Sequence, residues 1–447
     1  MTPRRAIVSW CLFDFANSAF TTVIVTSVFG VWFVSVLVPA GGLATGAGGR
    51  ALGLPEFLSG EFLWSAATAL SLLLSAALAP IAGAGADAGG GKRKGLIVSS
   101  CLCVGASAAL AASGLLGVAY ALAAFVIANV AFEVGYVFYN GFLPEIAPAD
   151  AVGRLSGLGW GIGYLGGLVS LATALLILHL NGGTLESPLG VPLVCLAAAA
   201  HFLIFSIPSF AWLRDAKPPS AIPAGRLIAL SVARLRTTIG HLAAWRQAVR
   251  FLLASLLYND GATTIFVFAG IYMERVLRLD ASEIVLSILL LNLPSAAGSV
   301  LLGYAGDRWG GRRTILLTLA IMIVSVLGIA LTAPADGAGP EALTRARTAF
   351  LLCAGAAAFA IGANQAASRA LMARFIPAGR QAEFFGFYIF SGKLASVAAP
   401  LTYGLIVQVS GSNVLGILSV TAFLLAGAAV LLTVNEAEGL RAAAGAG

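Results

Sequence analysis

Twelve stretches of about twenty or more predominantly apolar residues run through this 447-residue chain. A stretch of that length is what an α-helix needs to cross hydrocarbon, and an open strand or loop cannot, because each N–H and C=O in lipid must find a partner. The expected fold class is therefore all-α integral membrane, with twelve transmembrane helices. A soluble fold is closed off by composition. With 59% of residues hydrophobic, 10% charged and a mean hydropathy of +0.96, the chain has more apolar surface than a water-soluble core of this size can bury. The run after Arg4 and Arg5 is too long for a signal peptide and contains Asp14, so it reads as a retained first helix.

The net charge of +7 tracks membrane orientation, not a nucleic-acid partner. Of 26 Lys and Arg, two (Arg369 and Lys393) fall within spans and five (Arg50, Arg275, Arg278, Arg345 and Arg347) on one side, leaving 19 on the side of the N-terminus. That excess predicts cytoplasmic N- and C-termini, and short loops with abundant Ala and Gly suit a bacterial inner membrane. Cys11, Cys101, Cys103, Cys195 and Cys353 all fall in spans, without disulfide or metal-ligand spacing, and are expected to pack as small apolar side chains. No metal or cofactor is expected.

The one long connection on the basic side runs from Arg214 to Arg250, with Pro218, Pro219 and Pro223 and seven Lys or Arg. From Leu227 to Ala248 apolar residues recur at helical intervals among Arg234, Arg236, His241 and Arg246, which predicts an amphipathic helix on the membrane surface. The chain thus divides into six spans in residues 1–213, a linker at 214–248, six spans in 249–435, and a cytoplasmic tail at 436–447.

An internal repeat supports that division. Between spans 2 and 3 stands Gly83-Ala84-Gly85-Ala86-Asp87-Ala88-Gly89-Gly90-Gly91-Lys92-Arg93, and between spans 8 and 9 stands Gly303-Tyr304-Ala305-Gly306-Asp307-Arg308-Trp309-Gly310-Gly311-Arg312-Arg313. Glycine, aspartate, glycine and a basic pair recur at the same spacing. Pro148 and Gly157 match Pro377 and Gly386 at a common offset of 229. A phosphate-binding loop at Gly89-Gly90-Gly91-Lys92 is excluded, because Arg93 stands where Ser or Thr is needed and no strand precedes it.

With these two loops the chain resembles the major facilitator superfamily, twelve helices in two pseudo-symmetric six-helix bundles with a midplane substrate site. The resemblance implies that the loops (Gly83, Asp87, Lys92 and Arg93; Gly303, Asp307, Arg308, Gly310, Arg312 and Arg313) stabilise one access state instead of touching substrate. Their chemistry fits. Glycine lets helices approach, the aspartate can face a helix N-terminus, and the basic pair stays at the cytoplasmic surface. Ala88 stands where a basic residue is usual, so the first latch is expected to be the weaker.

Charge inside a span is costly and points to function. Asp14, Asn17, Ser18 and Thr21 of span 1 fall at steps of three and four, on one face. Span 4 sets Asn129, Glu133, Tyr136 and Asn140 on one face; span 7 carries Tyr258, Asn259 and Asp260; span 10 carries Asn364, Gln365, Ser368 and Arg369; span 11 adds Lys393. The resemblance implies that spans 1, 4, 7 and 10 line the central cavity, which makes these residues candidates for substrate or ion binding. Three acids (Asp14, Glu133, Asp260) face two bases (Arg369, Lys393), so one acid is free to carry a proton, with Glu133 and Asp260 as the candidates. The charges could equally pair across the two bundles, or Arg369 and Lys393 could receive a substrate carboxylate. His201 is read as a packed ring with its nitrogen satisfied. The glycine-dense span 5, with Trp160 and Tyr164, suits tight packing and bending.

Six stretches narrow the resemblance: Phe13-Asp14-Phe15-Ala16-Asn17-Ser18-Ala19-Phe20, Phe138-Tyr139-Asn140-Gly141-Phe142-Leu143-Pro144, Gly159-Trp160-Gly161-Ile162-Gly163-Tyr164, Tyr258-Asn259-Asp260-Gly261, Gln365-Ala366-Ala367-Ser368-Arg369 and Glu383-Phe384-Phe385-Gly386-Phe387-Tyr388. In order along the chain, they are similar to the vacuole effluxer branch, whose fungal members are linked to export of amino acids from the vacuole. The resemblance implies a monomeric, proton-coupled secondary transporter that moves a small amphipathic solute, an amino acid among the choices, outward by alternating access. Export of another metabolite or toxic compound, or a non-transporting membrane sensor, are the alternatives. An enzyme is not expected, since no zinc-binding His-Glu pair or Gly-x-Ser-x-Gly elbow occurs.

Overall fold

The computed structural model describes residues 3–38, 59–89, 91–216, 222–240, 242–335, 339–394 and 398–445. Among them are eleven helices long and apolar enough to cross a membrane. In the first half these are span 1 (Arg4–Leu37), span 2 (Gly60–Gly89), span 3 (Lys92–Leu116), span 4 (Val118–Ile146), span 5 (Val152–Leu180) and span 6 (Gly190–Trp212). The second half has span 7 (Arg246–Arg275), span 8 (Ala281–Trp309), span 9 (Gly311–Leu331), span 10 (Pro340–Phe375) and span 12 (Asn413–Leu432). Span 11, expected as one run from about residue 384 to 408, is described as two shorter helices, Gln381–Leu394 and Ala398–Ser410. Pro218, Pro219, His241 and Gly90, to which the sequence reading gave roles, lie outside the described residues.

The duplication read from two loops extends to the packing. Span 1 packs on 6, span 2 on 4, and span 3 on 4 and 6. Six helices later, span 7 packs on 12, span 8 on 10, and span 9 on 10 and 12. Lipid supplies no hydrophobic drive between helices, so close van der Waals approach holds such pairs. A Cβ at Gly298 of span 8 would overlap the Phe359 carbonyl of span 10, and one at Gly362 would overlap the Ser295 carbonyl. Ser295 Oγ closes the same seam by donating to the Ala358 carbonyl at 3.0 Å.

Two compact units emerge. One comprises Met1–Phe142 and Ile162–Val232, the other Leu143–Gly161 and Ala233–Gly447. The start of span 5 thus belongs with the second unit. Gly157 and Gly161 place it against Ser299 and Val300 of span 8, where any added Cβ would clash.

Span 1 departs from regular α geometry. It is α-helical to Ala19, then π-helical over Phe20–Ser27 and again over Phe33–Leu37. π segments are rare and gather at functional sites. Here the distortion begins one turn beyond Asn17. The linker helix is observed over Ala224–Gly240.

Candidate functional site

In the first unit, the polar faces predicted for spans 1 and 4 are buried. Asp14, Asn17, Asn129, Glu133 and Asn140 are each less than one-tenth exposed, and Tyr136 is half-buried. An aromatic ladder joins them. Tyr139 stacks on Trp10 at 4.7 Å and on Phe13 at 4.8 Å, Tyr136 stands 5.6 Å from Tyr139, and Trp10 Nε1 donates to the Tyr139 carbonyl at 3.0 Å. Stacked rings of this kind stiffen a wall without spending polar groups.

The amides and hydroxyls around this wall are mostly satisfied locally. Asn129 Nδ2 donates to Ser71 Oγ of span 2 at 2.6 Å, and Asn140 Nδ2 to the Tyr136 carbonyl at 2.8 Å. Ser18 and Thr21, on the Asp14 face, donate back to carbonyls of their own helix. Asn17 Nδ2 and Asn140 Oδ1 are the exceptions, each buried without a hydrogen-bond partner among the described residues. A buried donor or acceptor left bare costs about 1–3 kcal/mol, and positions of that kind call for a functional reason. Span 5 crosses at this level. A Cβ at Gly163 would sit 3.3 Å from Asp14, and one at Gly166 would overlap the Phe15 carbonyl. His201 is satisfied as read from sequence, with Nε2 3.2 Å from the Phe15 carbonyl and its ring stacked on Phe15.

In the second unit, a chain of hydrogen bonds links spans 7, 10 and 9. Tyr258 Oη lies 2.8 Å from Ser368 Oγ, Ser368 Oγ donates to Asn364 Oδ1 at 3.4 Å, and Asn364 Nδ2 donates to Thr318 Oγ1 at 2.9 Å. Asp260 is 2% exposed. Its Oδ2 accepts the Ala399 N–H at 3.0 Å, while Oδ1 has no hydrogen-bond partner among the described residues. Ala399 belongs to the helix Ala398–Ser410, so this bond ties Asp260 to a neighbouring helix. Asn259, Gln365 and Lys393 are half-buried.

Arg369, 1% exposed, is held by the start of span 5. Nε donates to Ser156 Oγ at 2.9 Å, Nη2 donates to the Ser156 carbonyl at 2.7 Å, and the guanidinium lies 5.4 Å over the Trp160 ring. Ser156 Oγ in turn donates to the Ala366 carbonyl at 2.7 Å, one turn before Arg369. Nothing in the sequence marked Ser156 for this.

The glycine-rich motifs form the helical ends of spans 2 and 8 and lead into the starts of spans 3 and 9. Asp307 accepts the N–H groups of Gly153 and Arg154 at 2.7 and 2.8 Å, at the first turn of span 5, and the Arg374 guanidinium at 2.6 Å. Carboxylates suit such positions because the first N–H groups of a helix are unpaired and carry partial positive charge. A Cβ at Gly303 would clash with the Gly153 carbonyl. Gly310 has a φ of +90°, which favours glycine. In the first loop Asp87 and Lys92 are buried, with Lys92 Nζ 5.5 Å over the Phe142 ring. Arg308 and Arg313 are exposed.

Two acids missed in the sequence complete these loops. Asp215, after span 6, accepts the Arg93 N–H, and Glu436, after span 12, accepts the N–H groups of Gly311 and Arg312. Their common place, just beyond the last helix of each half, was the available signal.

A family described as "Vacuole effluxer Atg22 like" matches residues 2–154 and 149–444. The chain is 27% identical over 438 residues to the "Uncharacterized MFS-type transporter YxiO" of Bacillus subtilis (strain 168), covering 96% of this chain and 94% of that one. It is 28% identical over 302 residues to "Autophagy-related protein 22" of Cryptococcus neoformans, covering 65% of this chain and 52% of that one, so it spans about half the length of that fungal relative. Among solved structures, its fold resembles the human organic anion transporter MFSD10 (TM-score 0.69, 16% identity, 96% of this chain and 100% of that one). It also resembles the proton:xylose symporter XylE (TM-score 0.70, 14% identity, 98% and 96%).

Proposed function

The chain belongs to the Atg22-like vacuole effluxer family of the major facilitator superfamily, and we propose that this membrane transporter exports a small amphipathic solute, an amino acid in the first instance, by proton-coupled alternating access. The observation that carries the reading is the set of buried polar side chains in helices that otherwise face apolar surroundings. Spans 1 and 4 contribute Asp14, Asn17 and Glu133, and spans 7 and 10 contribute Tyr258, Asp260 and Asn364. Two groups among them suit a visiting ligand. Asn17 Nδ2 in the first unit offers a donor and Asp260 Oδ1 in the second an acceptor, and neither has a hydrogen-bond partner among the described residues. Oδ1 is also where a transported proton would sit.

In this reading the two six-span halves, 1–213 and 249–435, work as one monomer with both termini cytoplasmic in a bacterial inner membrane. Asp307 at the start of span 5 helps to hold one access state, as a carboxylate that releases a helix end when the bundles rock.

Two measurements test it. Purified protein is screened by thermal shift against amino acids and other metabolites, since a ligand bound to the folded state raises its stability by mass action. An upward shift with an amino acid is expected; no shift with any amino acid removes that cargo. In proteoliposomes under a pH gradient, Asp260→Asn or Glu133→Gln is expected to lower tracer flux by at least about tenfold. Full flux in both variants rejects proton carriage by these acids.

A further inference from the structure

The linker helix Ala224–Gly240 has one face committed to protein and another that is largely exposed among the described residues. On the committed face, Ser231 and Thr238 are each 2% exposed. Ser231 lies against Gly85 of span 2, where an added Cβ would come within 2.9 Å of its hydroxyl. Arg234 Nε donates to Glu383 Oε2 at 2.8 Å and its Nη2 to the Gly379 carbonyl at 2.7 Å. Thr238 Oγ1 is bonded to the other Glu383 oxygen and accepts from Arg380 Nη1 at 2.8 Å. Glu383 itself is fully buried. The helix is therefore docked firmly, by a buried carboxylate that two arginines and a threonine surround.

About a quarter turn away run Ile228, Val232 and Ile239, which share a side by their spacing of four and seven. Ile228 is 59% exposed and Ile239 55%. Arg236 borders this stripe, Arg226 lies in the first turn of the helix two residues before Ile228, and both are exposed. Between Lys217 and Asn259 the sequence contains no Asp or Glu, so no acid of the segment offsets its arginines. An apolar stripe with uncompensated basic residues, on the connection between two membrane bundles, is the chemistry of a helix that lies in a negatively charged bilayer interface.

We propose that the linker helix is a recognition surface for anionic phospholipid. The Ile228, Val232 and Ile239 side chains enter the interface, and Arg226 and Arg236 pair with lipid phosphates. The face bonded to Glu383 holds the helix in the orientation that presents them. This assignment does not depend on the identity of the transported solute.

The test uses the full chain in nanodiscs of phosphatidylcholine alone or with about one-third phosphatidylglycerol, with hydrogen exchange followed over residues 222–240. In the anionic discs exchange is expected to slow by at least about threefold, and about 0.5 M salt is expected to reverse most of that gain. The double variant Arg226→Gln/Arg236→Gln is expected to exchange like the wild type in phosphatidylcholine and to lose the response to phosphatidylglycerol. Glu383→Gln serves as the contrast: it loosens the docked face, raising exchange in both lipids while the ratio between them stays. An unchanged rate between the two lipids in the wild type, or a lipid response that survives in the double variant, overturns the proposal.

Discussion

The starts of spans 3 and 9 occupy the same place in the two halves, and both are capped by an acid from just beyond the last helix of their own half. In the first, Asp215 meets the backbone N–H groups of both Lys92 and Arg93, the Arg93 N–H shared between its two oxygens at 3.1 and 3.4 Å. In the second, Glu436 takes Gly311 N–H on one oxygen and Arg312 N–H on the other, each at 3.0 Å. An arginine of each loop also donates to a carbonyl near the end of the last span, Arg93 Nε to Phe210 and Arg312 Nη2 to Leu432, both at 2.8 Å. The structural counterpart of Arg93 is thus Arg312, one residue out of register with the sequence repeat, which pairs Arg93 with Arg313.

The larger difference is a cation. Arg374 lies 2.6 Å from Asp307 and 3.8 Å from Glu436, and joins both carboxylates of the second half. At the offset of 229 that relates spans 4 and 5 to spans 10 and 11, the first half has Glu145 in its place. Duplication kept the backbone scheme, in which acids cap helix starts. It did not keep the charge inventory that anchors the acids.

The strongest way to break this contrast is to remove the cation or its nearest partner. Asp307 and Arg374 side chains are about 11% and 13% exposed, so stripping one leaves the other mostly desolvated. Arg374→Gln or Asp307→Asn is expected to cost about 3 kcal/mol, read by denaturant titration in detergent. The double variant should cost less than the sum, with a coupling of about 1–3 kcal/mol. Additive losses in that cycle mean that the pair is not a unit.

A smaller effect is expected from Glu436→Gln, which turns one charge-assisted acceptor into a donor and should cost about 1.5 kcal/mol. The matching change in the first half, Asp215→Asn, should cost nothing at neutral pH. Burial pushes the Asp215 carboxyl above its ordinary value, and the Arg93 N–H and nearby Lys92 charge offset only part of that. A carboxyl whose folded value is raised favours the folded state below its unfolded value, near pH 4, and loses that contribution as pH climbs through the folded value. Asp215→Asn should therefore gain on the wild type between about pH 4 and pH 7. Thermal melts across that range check it, and an equal loss from Asp215→Asn and Glu436→Gln at pH 7 would erase the contrast between the halves.

Much of the molecule was legible before any coordinates. Helical spans followed from length and apolarity alone, because lipid leaves the backbone no other solution. The repeat announced the duplication that the packing of span 1 on 6 and span 7 on 12 displays. Burial of Asp14, Glu133, Asp260 and Arg369 followed from their place in apolar helices and the cost of exposing charge to hydrocarbon. Partners did not follow. Ser156 holding Arg369, the Ala399 N–H on Asp260, and Glu383 beneath the linker helix join residues more than a hundred positions apart.

Sequence by itself determined that this chain spans a membrane as a duplicated set of helices with charges buried inside them, since hydropathy and spacing are local properties that survive any arrangement of neighbours. Only the tertiary structure showed which groups Asp260, Asp307, Arg369 and Glu383 meet. A carboxylate serves as helix cap, clamp or ligand group according to which N–H or guanidinium the packing brings within about 3 Å, and that distance is set by how glycine-lined helices cross.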